Sequence, residues 1–362
     1  MKTGIVYDPI YLEHRTGMHV ESPERLIGIM DFLEEKKVLE NPDFILIDPR
    51  KATTEQIKYV HTESLINEVK EASALAEATH RLQYLDEGDT IASGRTFEAS
   101  LYSVGGNLMG LDNIIENKVE NVFAAVRPPG HHSNSYKCSG FCIFNNIAIA
   151  TEYLFREKNI KKVAIIDWDC HHGNGTQDIF YNGSESGEVV IFNSHQDGRT
   201  LYPGSGFINE IGSGKGEGKI INFPLPPRAA EDTVLIFFEE VVKPVCREFQ
   251  PEFILISAGF DTHWTDELTN MGWTYQGPAK YLKKLKTVAD EFASGRILIT
   301  LEGGYEIDKQ AKAVYNCLQI LNNSNQLIEE KSRESDKVIL NYINNKVIPN
   351  LKDSLKPYWN CF

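Results

Sequence analysis

Ile165-Ile166-Asp167-Trp168-Asp169-Cys170-His171-His172-Gly173-Asn174-Gly175-Thr176 is the stretch that decides the fold class of this 362-residue chain. The apolar run 163–166 reads as a buried strand, and ionisable groups crowd its carboxyl end. Ligands of open parallel α/β sheets bind beyond the carboxyl ends of strands. Alternate residues of an extended chain share a face, which predicts that Asp169 and His171 point the same way. A carboxylate and an imidazole converging there suit a divalent transition metal. Strand capping would explain one or two such residues, but not four ionisable groups within six positions.

Working outward, apolar runs at 4–7, 122–126, 189–192, 253–257 and 297–301 read as further strands. Helical patterns fall between them at 23–36, at 54–57 continuing into 64–78, and at 93–116, 145–158, 230–249 and 278–293. Such alternation indicates βαβ units and an α/β fold with a mostly parallel sheet. It runs from residue 4 to about 320 without a linker, so one domain over residues 1–362 is expected. Its C-terminal part, 322–362, is a polar helical tail without chemistry of its own. Three polar or glycine-rich loops, 127–140, 196–218 and 261–277, each follow a strand and are expected to wall one pocket. Residues 212–218 lack the Walker pattern and read as a flexible turn.

Hydrophobic residues at 41% and charged residues at 24% are ordinary for a globular chain. A net charge of −14 argues against nucleic-acid backbone binding as the main activity. It suits a cationic partner but equally serves solubility. No run of about 18 apolar residues supports a membrane span, and the N-terminus lacks a signal peptide's apolar core. The six cysteines form no CxxC pair, which reads as reduced thiols in the cytoplasm. Cys138 and Cys142 are close enough in sequence for a redox pair, although spacing alone fixes no geometry.

Four strand exits carry the candidate chemistry. Val126-Arg127-Pro128-Pro129-Gly130-His131-His132 presents two imidazoles, the side chains best placed to move protons near neutral pH. The opening stretch supplies Asp167, Asp169, His171 and Asn174. Ile254 to His263 delivers Asp261 beyond a glycine, either as a metal ligand or as a helix N-cap. Asp169, His171 and Asp261 together would leave a coordination position open for water, the pattern of a catalytic metal site. Glu302-Gly303-Gly304-Tyr305 turns sharply and offers a phenol, either as a donor to an oxyanion or as a packing residue. A metal, a histidine pair and a phenol assemble into a hydrolase.

Together these segments resemble the arginase–deacetylase fold and, within it, the zinc-dependent histone deacetylase family, in its class II-like branch. The likeness rests on residues 127–132, Gly140-Phe141-Cys142, 167–175, Tyr202-Pro203-Gly204-Ser205-Gly206, 257–261, 302–305 and an opening His19-Val20-Glu21-Ser22-Pro23-Glu24-Arg25-Leu26. It spans residues 4 to 320 and implies a three-layer αβα architecture. It further implies that Asp169, His171 and Asp261 bind one Zn²⁺, or Fe²⁺ in its place. His131 and His132 match the catalytic pair, Tyr305 the carbonyl-polarising tyrosine, and Asp167 the carboxylate that orients His131. Asn174 falls where one branch carries aspartate, so His132 is expected to act more readily as a neutral base.

A structural K⁺ is implied beside the zinc, with Asp167, Asp169, His171 and Ser194 contributing. Asn193 stands there in place of the more usual serine. Gly140, Phe141 and Tyr202 match the walls of an acyl-lysine tunnel, and Leu268 lies at its gate. The resemblance implies deacetylation of an acylated lysine in a protein or peptide, or of a related acylated small amine. An acetylpolyamine amidohydrolase is the nearest alternative, since its acidic gatekeeper aligns with Leu268 and Glu267 stands next to it. A binuclear ureohydrolase lacks its second ligand set here. A non-catalytic acyl-amine binder would be expected to have lost Tyr305 or a metal ligand, and neither is lost.

Overall fold

A computed structural model describes residues 2–362. Its strands are β1 (Thr3–Val6), β2 (Phe44–Ile47), β3 (Gln83–Tyr84), β4 (Ile91–Ala92), β5 (Asn121–Ala124), β6 (Lys162–Asp167), β7 (Glu188–Gln196), β8 (Ile220–Leu225), β9 (Phe253–Ala258) and β10 (Ile297–Leu301). Eight form one sheet in the order β2-β1-β5-β10-β9-β6-β7-β8, and every pairing is parallel. The sheet is therefore wholly, not mostly, parallel. β3 and β4 form a separate antiparallel ribbon. β5, β6, β9 and β10 are buried along their lengths, as strands covered by helices on both faces must be. Helix Thr96–Ile115 packs with Asn146–Glu157, while Glu24–Glu35 packs with Ile307–Leu321, which also meets Gly277–Phe292.

The register places the site. Ala124 lies beside Thr300, Thr300 beside Ser257, and Ser257 beside Asp167, so four adjacent strands end at one level. The loops leaving them must meet.

Several boundaries depart from the sequence pattern for local reasons. Residues 54–57 do not run on into the next helix. Thr53 caps the first with a reciprocal Gln56 bond, and Thr62 caps Glu63–Thr79 by accepting from the Leu65 N–H. The 230–249 helix forms, but it contains a π-turn at Phe238–Val242 just before Pro244, which has no N–H to donate. β8 carries Pro224 and reads poorly as a strand, yet it sits at the sheet edge, where proline is tolerated. Residues 212–218 form an ordered 3₁₀ turn within a β7–β8 connection whose backbone bonds run back to Tyr181. Helices at Asn174–Phe180 and Ile307–Leu321 were not expected. The tail is irregular from 322 to 336 and becomes helical only from Lys337. Among the described residues, no helix is long and apolar enough to cross a membrane.

A buried ionic knot ties the N-terminal segment to the strand exits. Glu21 accepts from Arg127 Nε at 2.5 Å and Nη2 at 2.8 Å, and from Arg25 Nη1 at 3.1 Å. Burial opposes the Glu21 charge, but Arg127 and His14 hold its carboxyl well below the usual range. Arg25 also donates to the carbonyls of Glu302 (2.6 Å) and Gly304 (2.7 Å). Removing the carboxylate strands two desolvated guanidinium ions. Glu21→Ala is therefore expected to destabilise the protein by about 3–5 kcal/mol. Urea titration checks this, and a loss below about 1 kcal/mol would show that water replaces the carboxylate.

Candidate active site

Asp169 and His171 lie beyond the end of β6, so strand alternation is not what makes them converge. The turn after Asp167 does it, through His171 N–H to Asp169 Oδ1 at 2.8 Å and Cys170 N–H to Asp261 Oδ1 at 2.9 Å. His171 Nδ1 then lies 2.9 Å from Asp261 Oδ2 and 3.2 Å from Asp169 Oδ1. One ligand atom of each residue falls within 4.8 Å of the others, and all three residues are buried. Asp261 is no helix cap, since the next helix starts at Gly277. The Gly303 N–H donates to Asp169 Oδ2 at 2.8 Å, and a Cβ on Gly303 would come within 2.6 Å of both carboxylates. Only glycine permits that approach.

The charges show what this cluster would accommodate. Burial and the neighbouring Asp169 push Asp261 up to about 7. Burial also opposes ionisation of Asp169, yet His131 and His171 hold its carboxyl far below the usual range. Burial opposes the charge on His171, but Asp169 and Asp261 push it up to about 10. Two desolvated carboxylates facing one imidazole are a donor set that a divalent cation satisfies. A second group, His131, Cys142 and Glu302, also clusters. There Glu302 is already spent on the N–H groups of Gly130 (2.8 Å) and His131 (3.2 Å) and on the Ser257 hydroxyl (3.1 Å). Burial raises the Cys142 thiol far above its usual value, which leaves that group without an anionic sulfur.

The two histidines stand 4.0 Å apart between ring centroids but differ in their partners. His131 Nδ1 meets Asp167 Oδ2 at 3.0 Å; burial opposes its charge, yet Asp167, Asp169 and Glu302 push it up to about 10. His132 Nδ1 meets Asn174 Oδ1 at 2.7 Å. Burial and then the His131 and His171 charges lower it well below its usual value. Their surroundings thus push the two imidazoles in opposite directions, His131 towards its charged form and His132 towards its neutral one. His172, the conspicuous neighbour, instead bonds Ser205 Oγ at 2.8 Å and Gln177 Oε1 at 3.1 Å, away from the triad.

A cavity of about 470 Å³ opens over these groups, lined by His131, His132, His171, Gly140, Phe141, Tyr202, Leu268 and Tyr305. The Phe141 ring meets Tyr305 edge-on at 5.9 Å, and Tyr202 meets His132 likewise at 5.2 Å. Gly140 takes a left-handed backbone, and a Cβ there would strike the His132 ring at 2.4 Å. Glu267 is exposed and does not line the cavity, whereas Leu268 does. Asn193 is buried with neither side-chain atom partnered, and Ser194 Oγ lies 3.4 Å from the Asp167 carbonyl. Cys138 and Cys142 are unpaired thiols rather than a disulfide, and Cys138 bonds the Ile143 carbonyl.

Sequence reasoning missed two supports. Asp266, buried, accepts from the N–H groups of Leu268 (3.0 Å) and Tyr305 (2.9 Å). Arg25 lies 5.0 Å from the Tyr305 ring centre. Only the polar character of the 261–277 loop and the His19–Leu26 motif pointed towards them.

Comparison with known proteins agrees with this architecture. The histone deacetylase domain model matches residues 19–321. The probable deacetylase of Archaeoglobus fulgidus is 35% identical, covering all of both chains. Histone deacetylase 18 of Arabidopsis thaliana is 35% identical over 99% of this chain, which spans 52% of that protein. The crystal structure of the HDA15 HD domain superposes with a TM-score of 0.87 at 28% identity, covering 99% of this chain and 95% of that one. The α/β architecture is thus that of the arginase–deacetylase fold, and with a family model matched over most of its length this chain belongs to the histone deacetylase family, as a hydrolase that removes acetyl groups.

Proposed function

We propose that the cavity removes acetyl or short acyl groups from Nε-acyl-lysine, in a protein or peptide, with one Zn²⁺ at Asp169, His171 and Asp261. The observation that carries this is the buried Asp169–His171–Asp261 cluster, whose His171 lines an aromatic-walled cavity together with His132, held towards its neutral form, and the Tyr305 phenol. Nitrogen and oxygen ligands of this kind also accept Fe²⁺. When bound, the metal supplies Lewis-acid polarisation of the acyl carbonyl and of the attacking water. His132 gives its Nδ1–H to Asn174, which leaves Nε2 with the lone pair to take the water's proton. The same nitrogen returns that proton to the departing amine. His131, held by Asp167, adds positive charge where the oxyanion develops, and the Tyr305 hydroxyl donates to that oxygen. Phe141 and Tyr202 grip the alkyl arm by apolar contact.

K⁺ is proposed at Asp167, Asp169, His171 and Ser194, and the unpartnered Asn193 amide supports an oxygen ligand there. The whole of 1–362 is read as one catalytic domain. Its six unpaired cysteines suit a reducing compartment such as the cytoplasm. Leu268 at the gate favours acyl-lysine over acetylpolyamine, while Asp86, Glu87 and Asp89 at the mouth favour a cationic flank in either substrate. The test compares an acetyl-lysine peptide, a longer-acyl peptide, acetylputrescine and acetylspermidine at full zinc occupancy. Peptide turnover is expected to lead, preference for a polyamine would reassign the substrate, and no acyl release from any member would overturn the reading.

Asn174→Asp tests the base. A carboxylate beside His132 stabilises its imidazolium and raises its pKa. The neutral form is the active one, so activity is lost as pH falls through that pKa. The acid limb of the kcat/KM profile is expected to move upward by about one unit or more. An unmoved limb would show that His132 is not the base.

A further inference from the structure

The matched family region ends at residue 321, yet the next fifteen residues reach back to the catalytic side of the sheet. Glu330, partly buried, is the centre of that contact. Its Oε1 accepts from Trp264 Nε1 at 2.9 Å, and its Oε2 meets His263 Nε2 at 3.1 Å and the Tyr275 N–H at 3.0 Å. Those three groups lie on the loop that carries Asp261, Asp266 and Leu268. Around this carboxylate, the Tyr275 hydroxyl donates to the Glu329 carbonyl, and the Arg333 guanidinium lies 4.6 Å from the Trp264 ring centre. Ile328 exchanges two hydrogen bonds with Asn316, at 2.8 and 3.0 Å, and Ser335 bonds Asp232 and the Ala230 N–H. The segment is anchored at both ends and in the middle.

The loop transmits that anchoring inward. The Asp266 N–H donates to the His263 carbonyl at 2.9 Å, so the residue that Glu330 grips also places Asp266. The Asp266 carboxylate then holds the backbone N–H groups of both Leu268 and Tyr305. Hydrogen bonds to a carboxylate are about twice as strong as neutral ones, and misplacement of a reacting group by about 1 Å can cost 10²-fold in rate.

We propose that residues 325–336 form a strap and that Glu330 is a positioning residue. It fixes the 261–275 loop and, through Asp266, sets Tyr305 and Leu268 at the cavity. This rests on Tyr305 being the donor to the acyl oxygen. The test is a double-mutant cycle on the full zinc-loaded chain with an acetyl-lysine peptide. Glu330→Ala is expected to lower kcat about tenfold, a fraction of the full misplacement cost. Glu330→Gln should fall less, because its amide oxygen still accepts from the Tyr275 N–H. In a Tyr305→Phe background, Glu330→Ala should cost less than about twofold, since the group it positions is gone. A tenfold loss in both backgrounds, or none in either, overturns the proposal. Amide exchange gives a readout that needs no turnover: the Leu268 and Tyr305 amides should exchange faster in Glu330→Ala, while β6 stays protected. If the wild-type chain turns over no substrate, the functional reading fails and exchange alone decides the strap, with unchanged exchange sinking it.

Discussion

Asp261→Asn is expected to yield a protein that no longer retains the proposed metal and no longer turns over substrate. The carboxylate is one of the three proposed side-chain ligands, and it is held by the Cys170 N–H and pressed against His171 at 2.9 Å. Loss of an outer-shell partner alone costs 10–100-fold in metal affinity, so loss of a charged ligand should exceed about 100-fold. Metal content after dialysis and kcat on the same sample measure both effects. Stoichiometric metal with kcat within about tenfold of wild type would remove Asp261 from the ligand set.

Stability should move in two directions. Bound metal stabilises wild type by about 2.7 kcal/mol at a hundredfold excess over Kd, so chelation lowers its Tm and leaves the variant unmoved. Compared metal-free, the variant should be at least as stable as wild type. It buries one carboxylate charge fewer beside Asp169, and that charge is disfavoured by burial.

Much of this site was legible because its chemistry is local to strand exits. The crowd of ionisable groups after Ile166 marked the Asp169–His171–Asp261 cluster, and the tandem His131–His132 marked the imidazole pair beside it. The reason given for the convergence of Asp169 and His171 was nevertheless wrong. A turn closed by backbone bonds brings them together, and no periodicity reports a turn of that kind. The sheet's centre was legible for the same reason as its burial: β6, β9 and β10 each carry a predominantly apolar run. β8 was missed because Asn222 and Pro224 interrupt its apolar run, whereas β2, also missed, is an apolar run, Phe44-Ile45-Leu46-Ile47, of the same length as β1. The seven-residue helix at Asn174 begins Asn-Gly, a poor helical start, so its position comes from packing. Asp266, Arg25 and Glu330 were invisible as site residues because each acts across a long sequence separation, Arg25 on Gly304 and Glu330 on His263. Such contacts exist only once the sheet has brought the loops together.

The other large effect is Tyr305→Phe. The ring's packing survives the change, since Phe141 at 5.9 Å and the Arg25 guanidinium at 5.0 Å both meet its aromatic body. Only the hydroxyl is lost. Burial pushes the Tyr305 phenol far above its usual value, so it is a protonated donor throughout the neutral range and adds no limb to the pH–rate profile. A donor aimed at a developing oxyanion is worth about 10²–10³ in kcat. kcat should therefore fall by that factor while KM changes little, because the proposed grip of Phe141 and Tyr202 on the alkyl arm is untouched. Unfolding stability should stay within about 1 kcal/mol, the usual net worth of one hydrogen bond. The split between kcat and KM is what separates the two roles open to this residue. If it only packs, kcat falls by less than about tenfold and any effect lies in KM, and the oxyanion must then rely on His131 and the metal alone.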